Sequence, residues 1–98
     1  MVWKIGNGNV VRIGLDPWIG CKWRHVLPSP MQEKLHLAGF YFISDIGLLS
    51  LPALISQQWL NAETIGFSDP QEIDAWNGYV AILKSSHVRI SFDDDALV

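Results

Sequence analysis

The chain has 98 residues, with seven Lys and Arg against ten Asp and Glu and a formal net charge of −3, so it holds one domain at most and casts no global field toward nucleic acid or an anionic membrane. Its hydrophobic fraction of 49% supports a modest core, and five Trp supply more aromatic bulk than solubility requires. The single Cys21 excludes an internal disulfide, and the lack of a cysteine framework favours an intracellular chain without choosing between nucleus and cytoplasm.

Val2-Trp3-Lys4-Ile5 and Val10-Val11-Arg12-Ile13 are short apolar runs separated by Gly6-Asn7-Gly8-Asn9. Asn and Gly accept the positive φ of a tight turn, so the pattern predicts an N-terminal β-hairpin. Lys4, Arg12 and Asp16 interrupt the first twenty residues and argue against a secretory signal peptide. Gly20, Pro28, Ser29 and Pro30 predict an irregular, Pro-containing arm over 20–30. Residues 31–38 then read as a short helix with Gly39 at its C-terminal side, although Leu35-His36-Leu37 also fits an extended reading, and Phe40-Tyr41-Phe42-Ile43 alone suggests a strand.

Ser50 can cap a further short helix in which Leu51, Leu54, Ile55 and Trp59 recur at helical spacing after an early Pro52. The apolar stretch 35–60 is broken by Ser44, Asp45, Pro52 and Gln57-Gln58, which excludes a membrane span. Asn61-Ala62-Glu63-Thr64-Ile65 predicts a turn into a short helical segment. A stronger start signal follows at Asp69-Pro70-Gln71-Glu72: Asp69 caps, Pro70 suits the first helical position and Glu72 can return a bond from the third. Ile73, Trp76, Val80 and Leu83 then share one face, with Gly78 either weakening the helix or permitting close approach. Val88, Ile90 and Phe92 alternate with Arg89 and Ser91, predicting a late strand that Asp93-Asp94-Asp95 interrupts, and the C-terminal end reads as cut. The expectation is a single small α+β domain, or polyprotein fragment, over 1–98: an N-terminal β-hairpin, the arm, two or three short helices and a late strand.

Reactive constellations are sparse. His25, His36 and His87 lie far apart beside one cysteine, which lacks the compact ligand spacing of a zinc site. Consecutive Asp93, Asp94 and Asp95 attract hard cations but without EF-hand spacing read as a solvated run or capping turn. Cys21 with His25, or Ser85-Ser86 with His87, would need a base within about 3 Å and a third polar group that the sequence does not name. Gly6-Asn7-Gly8 stands in a strand-turn-strand setting, unlike a phosphate loop. No catalytic, cofactor-binding or metal-ligating residue is assigned. The chain reads as non-enzymatic, without a cofactor.

Taken in order, Gly6-Asn7-Gly8, Val11-Arg12-Ile13, Asp16-Pro17-Trp18-Ile19, Leu37-Ala38-Gly39, Ser44-Asp45-Ile46, Trp59-Leu60-Asn61, Ile65-Gly66-Phe67, Glu72-Ile73 and the run from Ile90 to Val98 form a moderately specific set. The set covers nearly the whole chain. It resembles a region in the polyproteins of plant non-LTR, LINE-type retrotransposons, after the reverse transcriptase and before the zinc-binding-like module and any ribonuclease H domain. The chain departs from that pattern at Gly14, where the family commonly has Trp, a loss of core or docking area.

The resemblance carries no polymerase or ribonuclease H acids into this segment. It implies a non-catalytic structural or interaction segment that docks neighbouring polyprotein modules, or self-associates, through Trp3, Trp59, Trp76, Leu54 and Val80 as core or docking residues. The alternative is a nucleic-acid accessory module. There Lys4, Arg12, Lys22 and Arg24 would contact phosphates, Trp18 and Trp23 would stack on bases, and RNA or DNA binding would be weak because few phosphates could be neutralised.

Overall fold

A computed structural model describes residues 1–21, 25–48 and 58–98. It is a small mixed α+β fold. In chain order it has strand β1 (Trp3–Lys4), helices α1 (Ser29–Leu37) and α2 (Ile43–Ile46), strands β2 (Gly47–Leu48) and β3 (Gln58–Trp59), helices α3 (Ala62–Ile65) and α4 (Pro70–Ser85), and strand β4 (Ala96–Leu97).

The expected N-terminal hairpin is replaced by a pairing of the two ends. β1 runs antiparallel to β4, with Trp3 opposite Leu97 and Lys4 opposite Ala96. Backbone bonds continue beyond the strands, from the Val98 amide to the Val2 carbonyl at 2.9 Å and from the Val2 amide to the Val98 carbonyl at 3.3 Å. Residues 10–13 instead turn toward α2: Arg12 bridges Phe42, and the Ile43 amide donates to the Val11 carbonyl at 2.9 Å.

The reason lies in Asp95. Its Oδ1 accepts the amides of Gly6 and Gly8 at 2.6 and 2.9 Å, and its Oδ2 those of Val10 and Val11 at 3.0 and 3.2 Å. A carboxylate that gathers four amides binds this loop more strongly than the neutral ladder of a two-stranded hairpin. The loop therefore curls around Asp95. Gly6 is the residue this geometry needs, since a Cβ there would stand 2.1 Å from the Asp93 carbonyl oxygen.

The late strand is displaced for the same reason. Residues 88–91 are not a strand; Val88 and Ile90 pack partly against the core, the Ser91 amide donates to the Gly6 carbonyl at 2.9 Å, and Phe92 is fully exposed. Strand pairing begins only beyond the acidic run. Asp93 and Asp94 are exposed as a solvated run requires, while Asp95 is turned inward.

The helix start signals agree with the structure more closely. α1 begins at Ser29, inside the span assigned to the arm, with Pro30 in its first turn. Before it, Leu27 is buried and its amide donates to the Gly14 carbonyl at 3.0 Å. Asn61 Oδ1 accepts the Thr64 amide at 2.8 Å to open α3, and Asp69 Oδ1 accepts that of Gln71 at 2.8 Å to open α4. Glu72 does not return a capping bond; it pairs with Lys34 of α1. Trp59, expected on a helix, sits in β3 opposite Gly47. The expected helix cap at Ser50, with Leu51, Pro52, Leu54 and Ile55, lies outside the described residues.

One aromatic column forms the centre of the core. Trp18 meets Tyr79 edge-on with centroids 5.1 Å apart, Tyr79 stacks on Trp76 at 5.6 Å, and Phe67 lies tilted against Trp76 at 5.8 Å. Val11, Met31, Leu35, Ile43, Ile46 and Leu83 close around it, each almost wholly buried. The polar atoms of the column are partly bonded too: Trp76 Nε1 donates to the Leu60 carbonyl at 2.9 Å, and the Tyr79 hydroxyl accepts the Gly14 amide at 3.0 Å. Burial holds the Tyr79 phenol far above its ordinary value, so it stays protonated.

Gly78 permits no close approach, because a Cβ there would meet nothing within 4 Å. It is simply a weak helix former on the exposed side of α4. Replacing Gly78 with alanine should therefore raise stability by about 0.5–1 kcal/mol, seen as a higher urea midpoint at unchanged slope.

Candidate docking surface

Beside the β1–β4 pair, a parallel bridge between Trp3 and Trp18 brings the first residues against residues 17–21. A cavity of about 540 Å³ opens there, lined by Met1, Val2, Pro17, Trp18, Ile19 and Cys21, with Gly20 and His25 completing it. Its base is the closed core, because Trp18 is only 1% exposed, whereas its rim is open, with Met1 89% and Ile19 51% exposed. Backbone bonds fix that rim: the Ile19 amide donates to the Trp3 carbonyl at 3.0 Å, and the Trp3 amide donates to the Pro17 carbonyl at 2.9 Å. Leu97 and Val98 are also about half exposed on the paired strand. Large apolar side chains gathered beside a concave surface mark a place that another chain can cover.

Of the residues expected to contact nucleic acid, the structure describes Lys4, Arg12 and Trp18. Trp18 is a core residue, its ring against Tyr79, and cannot present a face to a base. Arg12 is exposed, yet its guanidinium is already engaged: Nε and Nη2 donate to the two oxygens of Asp16 at 3.0 and 2.9 Å, and Asp16 also accepts the Arg12 amide at 2.9 Å. The Arg12 side-chain bond foremost holds the Asp16 carboxyl below the usual range, against an opposing push from partial burial. Lys4 is exposed on β1. Lys22, Trp23 and Arg24 lie outside the described residues. Of the residues expected as core or docking groups, Trp59 and Trp76 are buried, and Trp3 and Val80 pack partly buried against the core. Leu54 lies outside the described residues.

The structure does bring Cys21 and His25 together, with Sγ 3.6 Å from Nδ1. No acid is seen bonded to His25 among the described residues, and both Asp16 oxygens accept from Arg12. Ser85 and His87 form no such pair: Ser85 Oγ donates to the Ile82 carbonyl at 3.1 Å, and the Ser86 hydroxyl has no hydrogen-bond partner among the described residues. Among the described residues no three of His, Cys, Asp and Glu converge to hold a metal ion, and no helix is long and apolar enough to cross a membrane.

The most structured polar feature of the molecule, the Asp95 cradle, is not visible in the sequence alone. Its signal lies in Gly6-Asn7-Gly8 and in the acidic run, but Gly8 and Asp95 are 87 positions apart and nothing local joins them. Comparison with protein-family models, curated proteins and solved structures finds no match to this chain.

Proposed function

We propose that this chain is a non-catalytic docking segment of a retrotransposon polyprotein, and that the apolar cavity at the β1–β4 edge receives a neighbouring module. The observation that carries this reading is the cavity's construction, a buried Trp18 floor with an exposed rim of Met1 and Ile19. Its position adds support. Residues 2 and 98 are hydrogen bonded to each other, so segments joined at either end leave from the edge that holds the cavity.

The polar residues in the motifs that carry the family resemblance have internal duties. Asp95 holds four amides, Asp16 holds Arg12, and Asp45 Oδ2 accepts the amides of Tyr41 and Phe42 at 2.9 Å each. Such residues preserve a shape, which is what a module that positions others requires.

The test is sedimentation of the chain with a separately purified reverse-transcriptase module of a plant LINE-type element. Association should appear, and Ile19→Asp, a substitution at an exposed position, should weaken it at least about tenfold by placing a charge in the covered rim. Absence of association, or association indifferent to Ile19→Asp, overturns the reading. Salt-sensitive binding to single-stranded RNA or DNA would instead favour the accessory-module alternative.

A further inference from the structure

A second cavity, of about 290 Å³, lies between β1 and the C-terminal end of α4 and also reaches Trp18. Its polar lining comes from Lys4, Trp18, Ser86, His87 and Arg89. Among the described residues no carboxylate lines it. This is unusual placement for a chain of net charge −3, because basic residues from opposite ends of the sequence share a concavity without an acid to neutralise them. The two ion pairs among the described residues use Arg12 and Lys34, leaving Lys4 and Arg89 outside both.

Two neutral groups in the same lining are unsatisfied. Trp18 Nε1 and Ser86 Oγ are buried and have no hydrogen-bond partner among the described residues, an unfavourable state in residues that line the cavity. An indole N–H can only donate, as can Lys and Arg, and a hydroxyl can donate as well. The cavity thus presents donors and positive charge and asks for an acceptor-rich, negatively charged ligand. The end of α4 offers less opposition than a bare helix C-terminus, because the carbonyls of Ile82, Leu83 and Lys84 already accept the amides of Ser86, Val88 and His87 at 2.9–3.1 Å.

We infer that the cavity between β1 and the end of α4 is a binding site for a small anion of the phosphate class, held by Lys4 and Arg89, with Ser86 and Trp18 among its lining residues. Partly buried Trp3, Ile5 and Val88 form the apolar walls, and the volume sits at the low end of ligand pockets, suited to a phosphate or a compact phosphate ester. Removing any one of the charge-assisted hydrogen bonds should weaken binding about tenfold.

The experiment follows the Trp18 indole N–H resonance of the whole chain during titration with inorganic phosphate, with adenosine 5′-monophosphate, and with sodium chloride at matched ionic strength. A saturable shift is expected with a phosphate but not with chloride, weakened at least about tenfold in Lys4→Met/Arg89→Met, both exposed positions, and less in Ser86→Ala. The tighter of the two phosphates identifies whether the free or the esterified form is preferred. No saturable shift, the same shift with chloride, or a shift unchanged in the folded double variant overturns the inference.

Discussion

Asp95→Ala should cost the chain about 3 kcal/mol or more, because it strips the acceptor from four amides at once and leaves those of Gly6, Gly8 and Val11 in partly buried positions. That is a large share of the roughly 5–15 kcal/mol that separates folded from unfolded small domains. Asp95→Asn should cost about 2 kcal/mol, since its NH2 group turns one oxygen's worth of acceptance into donor facing donor. Urea denaturation at neutral pH measures both, and an unchanged midpoint for Asp95→Asn would sink the account. The carboxyl also makes a prediction about pH. Partial burial pushes its pKa up, but the amides of Val10, Gly8, Gly6 and Val11 together more than offset that and hold it below the ordinary value. A folded-state pKa lowered in this way gives stability that is complete above the unfolded value of about 3.9 and is lost as pH falls through the lower folded value. Asp16 is shifted in the same direction and adds to the acid sensitivity. The wild-type chain should therefore lose stability more steeply below about pH 4 than Asp95→Asn, whose amide does not titrate.

Gly14→Trp should be severely damaging, because the position has neither the backbone conformation nor the space for a large side chain. Gly14 is buried with φ +73°, and a Cβ there would lie 2.9–3.1 Å from three atoms of the Leu27 side chain. The residue is also a junction: its amide donates to the Tyr79 hydroxyl, and its carbonyl accepts the Leu27 amide and Gln32 Nε2 at 3.0 and 3.2 Å. Left-handed strain of about 1–2 kcal/mol and overpacking of about 1–3 kcal/mol already apply to Gly14→Ala, so about 2–5 kcal/mol is expected there and more for Trp. Thermal unfolding monitored by circular dichroism checks it. The outcome that contradicts the packing is Gly14→Trp as stable as wild type. A chain that carries Trp at this position needs a different course for Leu27.

Local chemistry is legible in the sequence and distant pairing is not. Asp69-Pro70 announces α4, and Asn61 announces α3, because a cap and its amide are two or three residues apart. The stripe of Trp76 and Leu83 marks the buried face of α4 through its period. Tyr79, on that same face, is less visible than Val80, because a phenol reads as a surface group until its hydroxyl finds a partner. The hairpin fails on another ground. Gly6-Asn7-Gly8 carries the composition of a tight turn, but the same glycines serve close approach by Asp93 and Ser44, and composition does not separate these uses. Val88, Ile90 and Phe92 have strand periodicity but stand outside the named strands, and β1 pairs with Ala96 and Leu97 instead. For the anion site, the sequence points to Lys4 as a phosphate contact but not to Arg89 or Ser86, which reach the same cavity only through the end of α4.

The Asp95 cradle also orders events in time. The carboxylate and the Gly6 amide are separated by 89 positions, so closing that contact is among the longest loop closures the chain can make and belongs late in folding. During synthesis at roughly 5–20 residues per second, residues 6–11 emerge on the order of ten seconds before their acceptor exists. Through that interval the aromatic column lacks Asp95 to clamp its N-terminal flank, and the first strand has no β4 to pair with. Within these 98 residues the flank made earliest is the one completed last.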